Sequence, residues 1–155
     1  MLQNLKKKKQ KMIQKPNNVI RIKCPLDKTF FTYWLRFLEP FHSLTAREID
    51  LLAVFLLTRY KLSKVISDDA LLSQVVMNED TKRQIREEFN LSIAHFLVIM
   101  GKFKKNGVIV NNRINPKYIP NITEEKGFQL LFYFELDEQL QKSSGESSTG
   151  DEPAV

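Results

Sequence analysis

Residues 78–110, NEDTKRQIREEFNLSIAHFLVIMGKFKKNGVIV, carry two consecutive helix patterns joined by a short turn. Asn78 is a residue type that caps helix N-termini, and the two acids after it stand where the helix dipole favours negative charge. Ile85 and Phe89 lie four residues apart and form the apolar stripe of the first helix. Because Asn90 tolerates the left-handed conformation that ends helices, we predict that the first helix stops there.

The second helix pattern begins at Ser92, another capping residue type. Its apolar positions recur at intervals of three and four residues, at Ile93, Phe96, Met100 and Phe103. A basic last turn precedes Gly107, a residue type that ends helices, and the β-branched residues 108–110 then begin a strand. The stretch therefore predicts a helix, a turn, a second helix and a strand.

A third helix is predicted upstream, behind Thr45 and Glu48. These two residues have the spacing of a capping box, in which each side chain bonds the backbone N–H of the other. Apolar residues fill nearly every position from Ile49 to Leu57, so we expect this helix to be buried almost all round. We expect a common core of Leu52, Leu56, Phe96, Met100 and Phe103.

Two further helices flank this one. Residues 67–69 are capping types and predict a shorter helix through Met77. Residues 29–41 are dense in aromatic side chains and predict a helix that Pro40 ends. We interpret these aromatic side chains as core, because base-stacking surfaces usually interleave aromatic with basic residues.

Strand patterns occur at both ends of this region. Residues 19–24 are a β-branched run that stops before Pro25. After a polar loop over residues 111–127, a long strand is predicted over residues 128–136, with one face formed by Phe128, Leu130, Phe132, Phe134 and Leu136.

Charge and composition divide the chain into three parts. The formal net charge is +6, and residues 1–15 contain six lysines without an acid. We predict a basic, flexible arm over residues 1–18, one folded domain over residues 19–140, and a disordered acidic tail rich in Ser and Gly over residues 141–155. A basic arm attracts polyanions without requiring a defined pose.

Composition also excludes several classes of protein. The single cysteine cannot form an internal disulfide framework or a multi-cysteine metal site. The longest apolar run has seven residues, Leu51 to Leu57, whereas a membrane span needs about 20. No secretion signal is evident. We therefore expect a soluble protein of the cytoplasm, either of a host cell or in a virion if a phage encodes the chain, with no membrane contact.

Residues 81–109 resemble the helix-turn-helix of winged-helix regulators and of some plasmid and phage replication proteins. The residues that carry the resemblance are Leu91, Ser92, Phe96, Met100, Phe103, Gly107 and Ile109. The resemblance implies an α+β fold: a helical bundle with a small antiparallel β wing, which residues 108–136 can supply. It also implies a DNA-binding function in regulation or replication, with the second helix as the recognition helix.

The outward face of that second helix departs from the family pattern. A DNA reader needs hydrogen-bonding side chains there to contact base edges. The matching positions here are Ile93, Ala94, His95, Leu97, Val98, Ile99, Gly101 and Lys102. Only His95 and Lys102 donate usefully, so we expect this face to pack against another part of the chain or a second molecule.

Candidate catalytic chemistry is sparse. His42 and His95 have no second ligand at metal-binding spacing, and no phosphate-binding loop, nucleophile elbow or catalytic carboxylate pair occurs. We expect a non-enzymatic protein without metal or cofactor.

Two functions remain open. In the first, the protein binds nucleic acid as a regulator or replication accessory. The predicted contacts are cationic or polar side chains of the folded domain and of the arm: Lys82, Arg83, Arg86, His95, Lys102, Lys104, Lys105, Arg113 and Lys117, with Lys6, Lys7, Lys8 and Lys9. In the second, it is an interaction or assembly module, such as a phage virion or connector component, with Ile93, Leu97 and Val98 as the interface to itself or to a protein partner.

Overall fold

The structure is a computed structural model that describes residues 18–122 and 127–138. The chain forms two compact units, residues 1–120 and 121–155. The described part of the first unit is mostly helical with one small antiparallel sheet, so the α+β expectation is confirmed at this level. The predicted end of the domain at residue 140 lies outside the described residues, as does nearly all of the predicted arm.

Helix α1 spans Lys28–Phe37, and the short helix α2 spans Glu39–His42. The Asp27 carboxylate caps α1 by accepting the Thr29 N–H at 2.7 Å. The prediction that Pro40 ends this helix is wrong by a few residues. Proline has no backbone N–H, but the N–H groups in the first turn of a helix have no partner within the helix. Pro40 therefore fits the first turn of α2.

Helix α3 spans Ala46–Ser63 and begins with the predicted capping box. The Thr45 hydroxyl accepts the Glu48 N–H at 3.4 Å, and the Thr45 N–H donates to the Glu48 carboxylate at 2.9 Å. Ile49 and residues 51–56 are all buried, which confirms burial nearly all round in the middle of the helix, whereas Ala46 and Arg47 of its first turn are exposed. Helix α1 packs directly on α3.

Three more helices follow: α4 over Asp69–Val76, α5 over Glu79–Glu88 and α6 over Ile93–Lys105. Helices α4 and α5 also pack on α3, which is therefore the central helix. Side chains of Asp68, Asn78 and Ser92 cap the three N-termini, as expected from residue type.

Helices α5 and α6 end in the same way. Asn90 and Gly107 have positive φ angles of 51° and 72°. In each case the next residue donates its N–H to a carbonyl five residues back, Leu91 to Arg86 and Val108 to Phe103. This is the Schellman pattern, and it confirms both predicted helix ends.

A β-hairpin follows α6. Its strands are β1 at Ile109–Val110 and β2 at Arg113–Ile114, and a turn of two residues joins them. Ile109 pairs with Ile114, and Val110 pairs with Arg113. The connecting Asn111 and Asn112 both have positive φ, 53° and 57°, as a type I′ turn requires. The prediction of a polar loop over residues 111–127 missed this turn, although an Asn-Asn pair beside a β-branched run is a usable hairpin signal.

The other strand predictions are wrong. Residues 19–24 and 128–136 form no strand in the structure. Alternating apolar residues or β-branched side chains favour an extended segment, but a strand also needs a neighbouring strand whose backbone pairs with it. No described residue forms a strand pairing with either segment. Val19, Ile20 and Ile22 are consequently exposed, as are Phe132, Phe134 and Leu136.

Candidate interface on helix α6

Helix α6 has one buried side and one exposed side. Phe96, Met100 and Phe103 are buried, as are Leu52 and Leu56 of α3, so the predicted core positions are confirmed as buried. On the opposite side the side chains of Ile93, Leu97 and Val98 are 63%, 62% and 70% exposed. Ala94 and Gly101 between them are exposed as well. We call these five residues, Ile93, Ala94, Leu97, Val98 and Gly101, the apolar face of α6.

The predicted outward positions need one correction. Ile99 is buried, because it lies three residues after Phe96 and four before Phe103 and so shares their stripe. The exposure of Ile93, Leu97 and Val98 contradicts the alternative in which this face packs against other residues within 18–122 and 127–138.

The cations that were predicted on the first helix of the pair have partners nearby. Lys82 and Arg83 of α5 each pair with the acid three residues earlier, with nitrogen–oxygen distances of 3.5 and 2.8 Å. The Arg86 guanidinium donates to the carbonyl of Leu91 at 3.3 Å, across the turn into α6. These three side chains therefore contribute to the local structure, and the charges of Lys82 and Arg83 are partly compensated.

Lys102 lies in a bridge between two helices. Its ammonium is 2.8 Å from the Glu48 carboxylate, which also accepts the Thr45 N–H of the capping box. Burial opposes ionisation of Glu48, but the bonds from Lys102 and Thr45 outweigh it and hold the pKa of Glu48 below the ordinary value of 4.5. Lys102 thus ties α6 to the start of α3, a role that the sequence pattern did not reveal.

Four of the predicted cationic or polar residues are exposed and form no ion pair within residues 18–122 and 127–138: His95, Lys104, Lys105 and Arg113. Lys117 instead places its ammonium 4.6 Å from the centre of the Phe41 ring, a cation–π contact. The arm residues Lys6, Lys7, Lys8 and Lys9 lie outside the described residues.

The aromatic segment is only partly core. Phe31 and Trp34 are buried as predicted, but Tyr33, Phe37 and Phe41 are exposed. The reason is geometric: a helix that packs mainly on one neighbour buries a single stripe, and the aromatic residues of this segment occupy more positions than such a stripe contains.

Buried polar contacts anchor the region around α2. His42 donates from Nε2 to the Leu35 carbonyl at 2.7 Å and accepts the Leu44 N–H on Nδ1 at 3.0 Å. The Trp34 indole donates to the carbonyl of Tyr118 at 2.8 Å. Both ring nitrogens of His42 are therefore engaged in holding the fold.

The described residues contain no cluster of three His, Cys, Asp or Glu side chains suited to a metal ion. One pocket, lined by Arg59, Ser73, Val76, Met77 and Ile114, has a volume of about 10 Å³, which is the size of one water molecule. No helix in this part of the chain is long and apolar enough to cross a membrane.

The chain was compared with protein-family models, with curated protein sequences and with solved structures, and none of them matches it.

Proposed function

We propose that this chain is a non-enzymatic protein-interaction module with a winged helix-turn-helix architecture, and that the apolar face of α6 is its contact surface. The observation that carries the proposal is the exposure of Ile93, Leu97 and Val98 on one side of a single, well-capped helix. Scattered apolar side chains on a surface need no explanation, but a contiguous apolar patch marks a binding site.

The winged-helix part of the proposal is supported by the order and joining of the elements. Helix α5, a turn with left-handed Asn90, helix α6 and a hairpin follow each other directly. The hairpin is much shorter than the wing expected over residues 108–136. A short wing leaves less surface for a nucleic-acid backbone and favours a protein-binding use of the architecture.

Hydrogen bonding argues against base reading by α6. Base edges in the major groove present donors and acceptors, which Ile93, Leu97 and Val98 cannot satisfy. Against hydrated phosphates these side chains would bury no apolar surface, whereas against the surface of a protein they would. Lys102, which was expected on this face, is bonded to Glu48 instead.

A second candidate is phosphate binding without base reading. It is favoured by the exposed Lys104, Lys105 and Arg113, and by the six lysines of residues 1–15. In that case the protein is a regulator or replication accessory that contacts nucleic acid through these residues. Either function is expected in the cytoplasm, or in a virion if a phage encodes the chain.

Photo-crosslinking distinguishes the two candidates. A photoreactive amino acid replaces Leu97 in one variant and Val65 in a matched control. Val65 is 81% exposed and lies outside α6. After irradiation in an extract of the producing cells, we expect position 97 to yield adducts that resist nuclease, with position 65 yielding few. Adducts at position 97 that nuclease removes would overturn the proposal.

A further inference from the structure

We propose that the partner of the α6 apolar face is a second copy of this chain, with the two α6 helices antiparallel about a two-fold axis near Leu97 and Val98. This inference rests on the proposed function, because it names the partner of the same face. Three features of α6 and its neighbours make the face complementary to itself.

The first feature is charge. Glu87 and Glu88 end α5 just before α6 begins, and Lys104 and Lys105 occupy the last turn of α6. All four side chains are exposed, and none forms an ion pair with another described residue. Acidic residues therefore precede α6 in the chain and basic residues occupy its last turn, with the Arg86 guanidinium also at the α5–α6 turn. An antiparallel copy opposes unlike ends, whereas a parallel copy opposes like ends.

The second feature is register. Lys104 and Lys105 lie roughly 11 Å along α6 from the proposed axis, at 1.5 Å per residue. Counted by residues, the equivalent positions on the other side of the axis are Asn90 and Leu91, which lie in the turn before α6 begins at Ile93. An antiparallel copy about this axis therefore brings the lysines of one copy toward the α5–α6 turn of the other, which follows Glu87 and Glu88 in the chain.

The third feature is Gly101. A glycine inside a helix costs about 1 kcal/mol relative to alanine, and here the fold gives no reason for it. A Cβ added at Gly101 would meet nothing within 4 Å, and its φ angle is not left-handed. About an axis midway between Leu97 and Val98, Gly101 of one copy faces Ala94 of the other. Two small residues at that point let the helices approach closely.

The interface is small, since it uses one face of a 13-residue helix. Contacts of this size are weak, so we expect a dimer with a Kd of about 10–500 µM rather than a permanent one. Sedimentation equilibrium of the full chain, up to about 1 mM, should detect it.

Two variants test the apolar contact. Leu97→Asp and Gly101→Leu should each raise the Kd at least tenfold, while Val65→Asp leaves it unchanged. Gly101→Leu has room within one chain, so its unfolding temperature should equal or exceed that of the wild type. This property separates loss of the dimer from loss of the fold. A dimer that survives both changes would place the contact elsewhere and overturn the proposal.

Charge reversal tests the arrangement of the two copies. Glu87→Lys with Glu88→Lys, and separately Lys104→Glu with Lys105→Glu, should each weaken the dimer about tenfold. The variant with all four changes should recover it, because unlike ends again meet. Failure of that recovery would overturn the antiparallel pairing.

A strictly monomeric wild type would overturn self-association and leave the proposed function intact if position 97 still yields nuclease-resistant protein adducts. Adducts with twice the mass of the chain are the expected result. Removal of the adducts by nuclease would overturn both proposals.

Discussion

At the scale of single residues, Glu48 does the most to connect distant parts of the chain. Its carboxylate completes the capping box at the start of α3 and also binds Lys102, 54 residues later in the sequence. One partly buried carboxylate thereby couples the beginning of the central helix to the helix that carries the proposed interface.

The Glu48 contacts predict a pH-dependent stability. The pKa of Glu48 is lower in the folded protein than its ordinary value of 4.5, so its contribution is fully present above that pH and lost as the pH falls through the folded-state pKa. In denaturant melts, Glu48→Gln should be less stable than the wild type near pH 7, and the difference should shrink below about pH 4.5. The exposed Glu39 gives a matched control, Glu39→Gln, which should change the stability near pH 7 by less than Glu48→Gln does.

Phe103 is the core residue whose loss should matter most within α6, since its side chain is fully buried. Truncation removes apolar contacts and leaves a cavity, so Phe103→Ala should cost about 3–5 kcal/mol of unfolding free energy. Urea titration measures it, with Leu97→Ala as the exposed control on the same helix. A loss below about 1 kcal/mol would contradict the placement of Phe103 in the core.

At the scale of elements, the hairpin depends on the conformation of two adjacent asparagines. Both central positions of a type I′ turn need positive φ, and Asn-Gly satisfies them best. Asn112→Gly should therefore stabilise the protein by about 0.5 kcal/mol, and Asn112→Val should destabilise it by about 1–2 kcal/mol. Thermal melts of both variants check the turn, and equal unfolding temperatures would contradict it.

Helix α6 has two roles. Its buried stripe holds it in the domain, while its apolar face leaves three large side chains in solvent. The caps at Ser92 and Gly107 fix both ends of the helix, so the outward face is held by a rigid element rather than a loop. A rigid face loses little conformational entropy on association, which suits a small interface.

At the scale of the whole molecule, the net charge of +6 is concentrated in the six lysines of residues 1–15. If the chain binds duplex DNA, deletion of residues 1–15 should weaken binding equally for all sequences. The slope of log affinity against log salt concentration should also become less steep by up to about five, because each lysine at a phosphate releases roughly one counterion. Fluorescence titrations at several salt concentrations measure both effects. Unchanged affinity and salt dependence would assign the lysines another role.

The sequence by itself determined the local structure of this protein. Helix starts at Thr45, Asn78 and Ser92, and helix ends at Asn90 and Gly107, follow from bonds between a residue and its close neighbours in the chain. Periodicity likewise identified Phe96, Met100 and Phe103 in the buried stripe of α6, but it included the exposed Ile93 and missed the buried Ile99. These features depend on a few adjacent residues, which is why they could be read without the fold.

Only the tertiary structure decided which of the predicted segments and side chains pair or pack with another part of the chain. Residues 19–24 and 128–136 have strand patterns but no pairing neighbour among the described residues, so alternation was not enough. Lys102 appeared free to contact a ligand until α3 brought Glu48 beside it. The exposure of the α6 apolar face could not be predicted from the sequence either, because a hydrophobic pattern indicates only that burial of a face is favourable. Whether the chain itself covers that face depends on contacts between residues far apart in sequence.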